Sequence, residues 1–377
     1  MTPNTTFYEE GSFLNMTANS SSFPPNATQT PAVTPPQGWS QLYILLTTLF
    51  FSLIIAAGLF GNSLVMATLT RWQEMRTPCN LLIANICASD LGVCIFAAPL
   101  RIIDIFRGWI FGDVLCYILT PLQDVFVVVS VVTQTVIALE RHRAIVAPFK
   151  PKMTLKRVKV SVLVIWFACY LTAGVPMILF LKNMLYNNGL YYCFPVFSED
   201  GYRIAYEMYL VVLFIALPLL IQCAAYFDVI RVLRAKDEIH SRCAGSFQQN
   251  SVQKRSFNDR VRQKKRLVRM LLVLMLVFQV CYLPRGVIML MQEFTPETTS
   301  QPKFHYVELI TLAMYYLKHV INPLILWAMS HDFHAGCLSI CSVDDSHLSF
   351  LRRSRYSTVS YRSKTYDRKL RNYNSQK

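Results

Sequence analysis

The residues that could carry chemistry in this sequence do not form a catalytic set. No Ser/His/Asp triad, metal-ligand cluster or phosphate-binding loop occurs in a segment that would face water, so we expect neither an enzyme nor a bound metal or cofactor. One acid stands out instead, because Asp90 is alone in a strongly apolar stretch. An ionised group inside a membrane is costly, and such a residue is therefore a candidate for a functional role.

The composition of the chain is typical of a membrane protein. Of the 377 residues, 53% are hydrophobic and only 16% are charged. A soluble domain carries about 25% charged residues. The net charge is +15, but the Lys and Arg residues flank alternate apolar blocks instead of forming a separate patch, so we do not expect nucleic-acid binding.

Seven apolar segments are each long enough to cross a bilayer core as a helix, which takes roughly 20 residues. Backbone groups in lipid must be paired internally, which favours helices, and the alternating pattern of a transmembrane barrel is absent. We therefore predict an all-α membrane protein built as a bundle of seven transmembrane helices. The predicted helices span residues 41–70, 78–106, 112–146, 158–181, 202–235, 259–292 and 304–329.

The charge distribution predicts the orientation of the chain. Residues 1–40 contain no Lys or Arg, whereas Arg71 and Arg76 follow the first apolar segment. Cytoplasmic loops carry the excess of positive charge, so we expect the N-terminus outside the cell and, after seven crossings, the C-terminus inside. The first residues do not resemble a cleaved signal peptide, so the first apolar segment is expected to act as a signal anchor.

Four regions follow from this topology. Residues 1–40 are predicted to be a disordered extracellular tail, 41–330 the bundle, 331–341 a short amphipathic helix on the membrane surface, and 342–377 a disordered cytoplasmic tail. Phosphorylation of the cytoplasmic tail would recruit arrestin. The candidate phosphorylation sites are Ser354, Ser357, Thr358, Ser360 and Ser363. The first tail carries glycosylation sequences, which could also be incidental, at Asn4, Asn15, Asn19 and Asn26.

The predicted topology also sorts the cysteines. Cys116 and Cys193 are the two that fall on the outer side, and only an oxidising compartment maintains a disulfide, so we expect them to be bonded to each other. Cys337 and Cys341 would share one face of the short helix, where palmitoylation is reasonable. The alternative is that they are two unmodified thiols.

Short motifs, at least one in each helix and in the same order, resemble those of the class A, rhodopsin-like G-protein-coupled receptors. The resemblance covers about residues 41–341, and the order of the motifs is more specific than any one of them. The motifs are Gly61-Asn62, Leu81 to Leu91, Trp109 to Gly112, Cys116, Glu140-Arg141-His142, Trp166, Pro218, Tyr226, Phe278 to Pro284, and Asn322-Pro323.

The resemblance implies a plasma-membrane receptor that passes an extracellular signal to heterotrimeric G proteins. In this family the release of Arg141 from the acid beside it would accompany opening toward the G protein, although a surface Glu-Arg pair is the alternative. The basic start of helix 6, from Arg260 to Arg266, would meet the G protein or anionic lipid. The resemblance implies an activation switch made of Asp90, Glu140, Arg141, Tyr226, Phe278, Tyr282, Pro284, Lys318, Asn322 and Pro323.

Two positions depart from the family in ways that affect the switch. Leu326 follows Asn322-Pro323 where the family has Tyr, and Leu cannot donate the hydrogen bond that this Tyr makes. Tyr282 lies in helix 6 where the family mostly has Trp. Because of these departures, a constitutively active or non-signalling protein remains an alternative to a ligand-activated receptor.

A third departure concerns the sodium site that the resemblance implies at Asp90 and Ser130. Lys318 and His319 lie where small polar residues usually help to hold the ion. Because a Lys would supply the positive charge itself, we expect an Asp90–Lys318 ion pair, tuned by His319, in place of sodium. The alternative is that Lys318 extends elsewhere, or that His319 is an ordinary packed residue.

The ligand is expected in the outer half of the bundle, between helices 3, 5, 6 and 7. Acids and bases on several walls, below a long outer loop at 182–200, favour an extended zwitterionic ligand such as a peptide. Two alternatives remain: Asp124 and Arg285 pair with each other, or a small anionic lipid or carboxylate binds Arg285 or Arg101. The candidate ligand-binding residues are Gln123, Asp124, Arg285, Met289, Glu207, Glu308, Tyr315 and Arg101.

Overall fold

The structure is a computed structural model that describes residues 41–151, 153–185, 189–243, 251–299, 301 and 304–341. The predicted glycosylation and phosphorylation sites, and the two terminal tails that contain them, lie outside these residues.

Seven long helices form the bundle, which confirms the predicted fold class. Each contains a segment long and apolar enough to cross a membrane. The helices are α1 (Gln41–Arg71), α2 (Pro78–Gly92, the π-helical turn Val93–Ala97, and Ala98–Arg107), α3 (Gly112–Val146), α4 (Leu155–Cys169, the π-helical turn Tyr170–Gly174, and Val175–Phe180), α5 (Asp200–Val211, the π-helical turn Val212–Ala216, and Leu217–Cys243), α6 (Ser251–Phe294) and α7 (Phe304–Met329).

Short elements connect or extend these helices. A 3-10 turn at Gln73–Met75 precedes α2, a single helical turn at Pro296–Thr299 precedes α7, and α8 (His331–Cys341) follows α7. Helix α4 begins earlier than predicted because Thr154 caps its first turn: the Thr154 hydroxyl accepts a hydrogen bond from the backbone N–H of Arg157 at 3.3 Å.

Prolines explain where the helices change their winding. The π-helical turns of α2, α4 and α5 each end two residues before a proline, at Pro99, Pro176 and Pro218. A proline has no N–H to donate and its ring collides with the carbonyl of the preceding turn, so a wider turn there relieves the clash. Pro284 and Pro323 lie inside α6 and α7 without such a turn.

A β-hairpin covers one end of the bundle, which we call the hairpin end. Strands β1 (Leu181–Leu185) and β2 (Tyr191–Pro195) pair antiparallel. Cys193 of β2 is bonded to Cys116 near the start of α3, with the two Cα atoms 5.7 Å apart, so the predicted disulfide is confirmed. The hairpin is therefore fixed to the mouth of the bundle. The end that carries α8 is called the opposite end.

Buried polar side chains join the helices, in addition to apolar packing. The Asn85 amide donates to Thr133 Oγ1 at 2.8 Å and accepts from Trp166 Nε1 at 2.8 Å, which connects α2 to α3 and α4. The Asn62 amide donates to the backbone carbonyl of His319 at 2.9 Å, which connects α1 to α7. Lipid tails are as apolar as the helices, so such bonds help to select one arrangement of the bundle.

Candidate functional site

A buried ionic cluster lies in the middle of the bundle, around Asp90. Lys318 Nζ lies 3.0 Å from Asp90 Oδ1 and donates to Ser130 Oγ at 2.7 Å. His319 Nδ1 lies 2.7 Å from the same Asp90 oxygen, and the Asn322 amide donates to Asp90 Oδ2 at 2.7 Å. The predicted Asp90–Lys318 ion pair is thus present, and the alternative in which Lys318 extends elsewhere is wrong.

The geometry of this cluster meets the requirements of a buried ion pair. Both Asp90 and Lys318 are buried, and an ion pair repays the loss of hydration only when further hydrogen bonds satisfy both groups. The Lys318 ammonium also lies 5.0 Å from the centre of the Phe278 ring, which is close enough for a cation–π contact. The cluster therefore joins α2, α3 and α7 and touches α6 through Phe278.

A cavity of about 210 Å³ lies between this cluster and the hairpin end. Helices α2, α3, α5, α6 and α7 line most of it. Two lining residues that we did not predict, Tyr316 and Leu312, lie one and two helical turns before the cluster residue His319, and this spacing was a usable signal. The predicted ligand-binding residues that line it are Arg101, Gln123, Asp124, Arg285, Met289 and Tyr315.

Two predicted ligand-binding acids, Glu308 and Glu207, do not line this cavity. Glu308 Oε1 lies 3.5 Å from Arg285 Nη1 and accepts a hydrogen bond from the Gln292 amide at 3.2 Å. Arg285 is therefore paired with Glu308, and the expected alternative of an Asp124–Arg285 pair is wrong. Because the partner of Arg285 is Glu308 of α7, the Asp124 carboxyl group of α3 lies on the cavity wall without that base.

Glu207 belongs to a second charged group, between α5 and α6 near the hairpin end. Arg203 of α5 lies 2.8 Å from Glu293 of α6. Glu207, one turn from Arg203, has a buried carboxylate oxygen without a hydrogen-bond partner in the described part of the chain. This group places two acids and one base at the rim of the bundle, above the cavity.

Stacked aromatic rings connect the cavity to the ionic cluster. The rings of Tyr315 and Tyr282, which both line the cavity, are stacked with centroids 5.6 Å apart. Tyr282 in turn contacts Phe278 at 5.1 Å, and Phe278 contacts the Lys318 ammonium. A ligand that displaced Tyr282 or Tyr315 would therefore disturb the surroundings of Lys318 through direct contacts.

At the opposite end, Arg141 and Glu140 form an ion pair, as predicted. Their side chains are 16% and 11% exposed, so the pair is partly buried at this end of the bundle. His142, the next residue, has its Nε2 atom 3.1 Å from Asp228 Oδ2 of α5. Tyr226, two residues earlier in α5, is buried in the core. These contacts hold α3 against α5.

A contact that we did not predict ties α6 to α7 at the same end. Arg266, in the basic first part of α6, donates from Nε to the backbone carbonyl of Met329, the last residue of α7, at 3.0 Å. The final carbonyls of a helix have no partner within that helix, so a nearby Arg is a favourable cap. This bond must break if α6 moves away from α7.

The two cysteines of α8 are in different environments. Cys341 is exposed, whereas Cys337 is 3% exposed and its Sγ lies 3.5 Å from Thr68 Oγ1 of α1. Burial also raises the pKa of the Cys337 thiol, which lowers its fraction of reactive thiolate. Palmitoylation was predicted at both cysteines, but α8 packs Cys337 against α1 and leaves Cys341 as the accessible thiol of the pair.

We accordingly expect a fatty acyl group on Cys341 and not on Cys337. The Cys341→Ser variant should lose the thioester-linked acyl group, because the exposed thiol is the accessible one. The Cys337→Ser variant serves as the control and should keep it. Hydroxylamine-dependent labelling of the receptor isolated from cells measures the thioester-linked acyl group in both variants. Loss of the label in Cys337→Ser alone would contradict the assignment.

Comparison with known proteins places these features in a family. The chain is similar to a QRFP-like peptide receptor of Branchiostoma floridae, with 28% identity over 303 residues, covering 78% of this chain and 77% of the relative. It is similar to the neuropeptide Y receptor type 4 of Rattus norvegicus, with 28% identity, covering 78% and 77%. It is also similar to the pyroglutamylated RF-amide peptide receptor of the rat, with 27% identity, covering 78% and 70%.

The family itself is shown by a match over most of the bundle. Residues 61–326 match the family described as 7 transmembrane receptor (rhodopsin family). This range begins within α1, ends within the last turn of α7, and includes the ionic cluster, the cavity and the Glu140–Arg141 pair. Members of this family are G-protein-coupled receptors in the membrane and not enzymes. The chain belongs to the rhodopsin family of seven-transmembrane receptors.

Proposed function

We propose that this receptor is activated by an extracellular peptide whose end enters the cavity, and that it then signals to heterotrimeric G proteins. One observation carries the proposal: the cavity wall presents the carboxylate of Asp124, while the nearby Arg285 is already paired with Glu308. Asp124 forms no direct ion pair in the described part of the chain, so a ligand with a positive group would supply one, beside Arg101 on the same wall. The relatives named above are peptide receptors, which supports this class of ligand.

The proposed orientation places the hairpin end outside the cell. The Cys116–Cys193 disulfide at that end needs an oxidising compartment, and residues 1–40 carry no Lys or Arg. The basic part of α6 and α8 would then face the cytoplasm, as the positive-inside rule requires. The glycosylated tail would lie outside, while the phosphorylated tail and its arrestin partner would lie inside.

The size of the cavity limits how much of a peptide it takes. Sites for drug-sized ligands are about 300–1,000 Å³, so a cavity of about 210 Å³ accepts one or two terminal residues. The remainder of the peptide would lie across the hairpin and the Arg203–Glu293 pair at the rim. Gln123 adds an amide that is able both to donate to and accept from the peptide terminus.

The proposed signal passes along the contacts already described. A peptide terminus against Tyr315 and Tyr282 would shift Phe278 and thereby the Lys318 ammonium. Rearrangement of the ionic cluster would change how α3 and α7 pack, and would free Arg141 from Glu140 at the cytoplasmic end. Breaking the bond between Arg266 and the Met329 carbonyl would let α6 move outward and admit the G protein.

The role of Asp124 can be tested with synthetic peptides that end in Arg-Phe-amide, applied to cells while cAMP, calcium and arrestin recruitment are recorded. We expect Asp124→Asn to raise the concentration for half-maximal response about 100-fold, because truncating one partner of a buried charge pair costs about 2–5 kcal/mol. A peptide with citrulline in place of Arg should be equally weak on both proteins.

Two control variants complete this test. Asp113→Asn removes an exposed acid that accepts a hydrogen bond from Asn183 at the hairpin end, and should leave the response unchanged. Arg141→Ala should abolish the G-protein response without preventing surface expression. A receptor on which neither these amidated peptides nor their free acids act would contradict the proposed ligand, and a response to fatty acids alone would favour an anionic ligand.

A further inference from the structure

Glu308 of α7 holds a base of the cavity wall from the side that faces away from the ionic cluster. Its carboxylate lies 3.5 Å from Arg285 Nη1 and accepts a hydrogen bond from the Gln292 amide at 3.2 Å. Arg285 and Gln292 are seven residues apart in α6, so they lie on one face of that helix. Glu308 precedes Tyr315, which lines the cavity, by the same spacing in α7. The carboxylate therefore joins α6 to α7 where a ligand would enter.

The described residues that line the cavity include two bases, and groups of the receptor itself engage both of them. Arg285 is paired with Glu308, and their side chains are only 18% and 10% exposed. Arg101 donates a hydrogen bond to the Tyr316 hydroxyl on the same wall, and Asp104, three residues along α2, attracts it electrostatically. A ligand carboxylate would have to displace one of these partners and would meet a negative charge in doing so.

We propose that Glu308 determines the charge of the ligand end that the cavity accepts. An amide and a carboxylate terminus have nearly the same shape but differ in charge, so the shape of a cavity does not separate them. A site also gains specificity by repelling the wrong ligand. Because Glu308 occupies Arg285, the cavity rejects a carboxylate terminus and admits an uncharged amide terminus. The proposal rests on the proposed function, which makes the ligand a peptide.

The variant Glu308→Gln tests this role, because glutamine keeps the size of the side chain and removes its charge. Without the carboxylate, Arg285 can form a charge-assisted hydrogen bond with a terminal carboxylate of the ligand. Peptides that end in Arg-Phe-amide and the same peptides with a free terminal carboxylate are applied to cells that express the full-length receptor. The ratio of their half-maximal concentrations, free acid over amide, is compared at equal surface expression.

We expect the wild type to prefer the amide, and this ratio to fall about tenfold to 100-fold in Glu308→Gln, the effect of one charge-assisted hydrogen bond. Poor folding would weaken both peptides and leave the ratio unchanged. Glu308→Asp keeps the charge and should keep the preference for the amide. The double variant Glu308→Gln/Arg285→Gln also removes the base and should lose the gain for the free acid. Asp113→Asn, which removes an acid at the hairpin end that does not line the cavity, should keep the wild-type ratio.

The outcomes separate this proposal from the proposed function. If the wild type responds to the amide and Glu308→Gln keeps the wild-type ratio, the role of Glu308 is wrong and peptide activation stands. An equal fall of the ratio in Asp113→Asn, or a fall that persists in the double variant, would also overturn the role of Glu308. If the wild type responds to neither peptide but Glu308→Gln responds to the free acid, the charge selection stands and the proposed activation of the wild type is wrong. Silence of every variant toward both peptides would overturn both.

Discussion

Replacing Lys318 by methionine should destabilise the folded receptor by about 3–5 kcal/mol, because it leaves the buried carboxylate of Asp90 without its cation. The Asn322 amide would still donate to Asp90, but a neutral amide does not supply the lost charge. Asp90→Asn should have a similar cost, since the Lys318 ammonium would lose its anion and keep contacts with Ser130 Oγ, the Phe278 ring and His319 Nδ1.

The double variant distinguishes an ion pair from two independent packing effects. When both charges are removed, neither is left unpaired, and replacing a buried pair by neutral groups of similar volume is often close to neutral. We therefore expect Asp90→Asn/Lys318→Met to recover most of the stability that each single change removes. A double-mutant cycle gives this coupling directly, because the two residues are in contact.

Thermal unfolding of the purified receptor and its surface expression in cells measure the effect. Lys159→Met, which removes an exposed Lys from α4, is the matched control and should unfold at the wild-type temperature. A Lys318→Met receptor as stable as the wild type, or a double variant no better than the worse single one, would show that the pair does not stabilise the bundle.

The features that the sequence predicted correctly share a physical cause. Asp90 and Lys318 each lie in an apolar stretch, and the cost of an unpaired ion in a membrane restricts the arrangements that such residues can adopt. The disulfide between Cys116 and Cys193 followed in the same way, from the topology and the need for an oxidising compartment. Strong energetic penalties make individual contacts predictable even when the partners are far apart in the sequence.

The features that were missed depend on the packing of one helix against another. The choice of Glu308 instead of Asp124 as the partner of Arg285 depends on small differences in helix rotation, which spacing along one helix does not determine. Cys337 was predicted as a palmitoylation site together with Cys341, but the position of α8 against Thr68 of α1 buries it. Such contacts depend on how two helices pack against each other, and the sequence pattern of either helix alone does not determine that packing.

Breaking the Cys116–Cys193 bond should destabilise the receptor by about 2–5 kcal/mol, because the bond restricts the unfolded chain. The two cysteines are 77 residues apart, a separation for which the chain-entropy relation gives roughly 4.5 kcal/mol. Without the bond, the hairpin would keep the backbone hydrogen bond from Trp109 N to the Tyr191 carbonyl at 2.6 Å. One such bond is worth about 0.5–1.5 kcal/mol and cannot replace the disulfide.

Three variants separate loss of the bond from loss of a side chain. Cys116→Ala, Cys193→Ala and the double variant all remove the same bond, so their unfolding temperatures should agree. Cys223→Ala, which removes an exposed free cysteine, should match the wild type. If the double variant were much less stable than either single one, the side chains would act separately, and the hairpin would be held by their packing against Leu100 and Trp109 instead of by the bond.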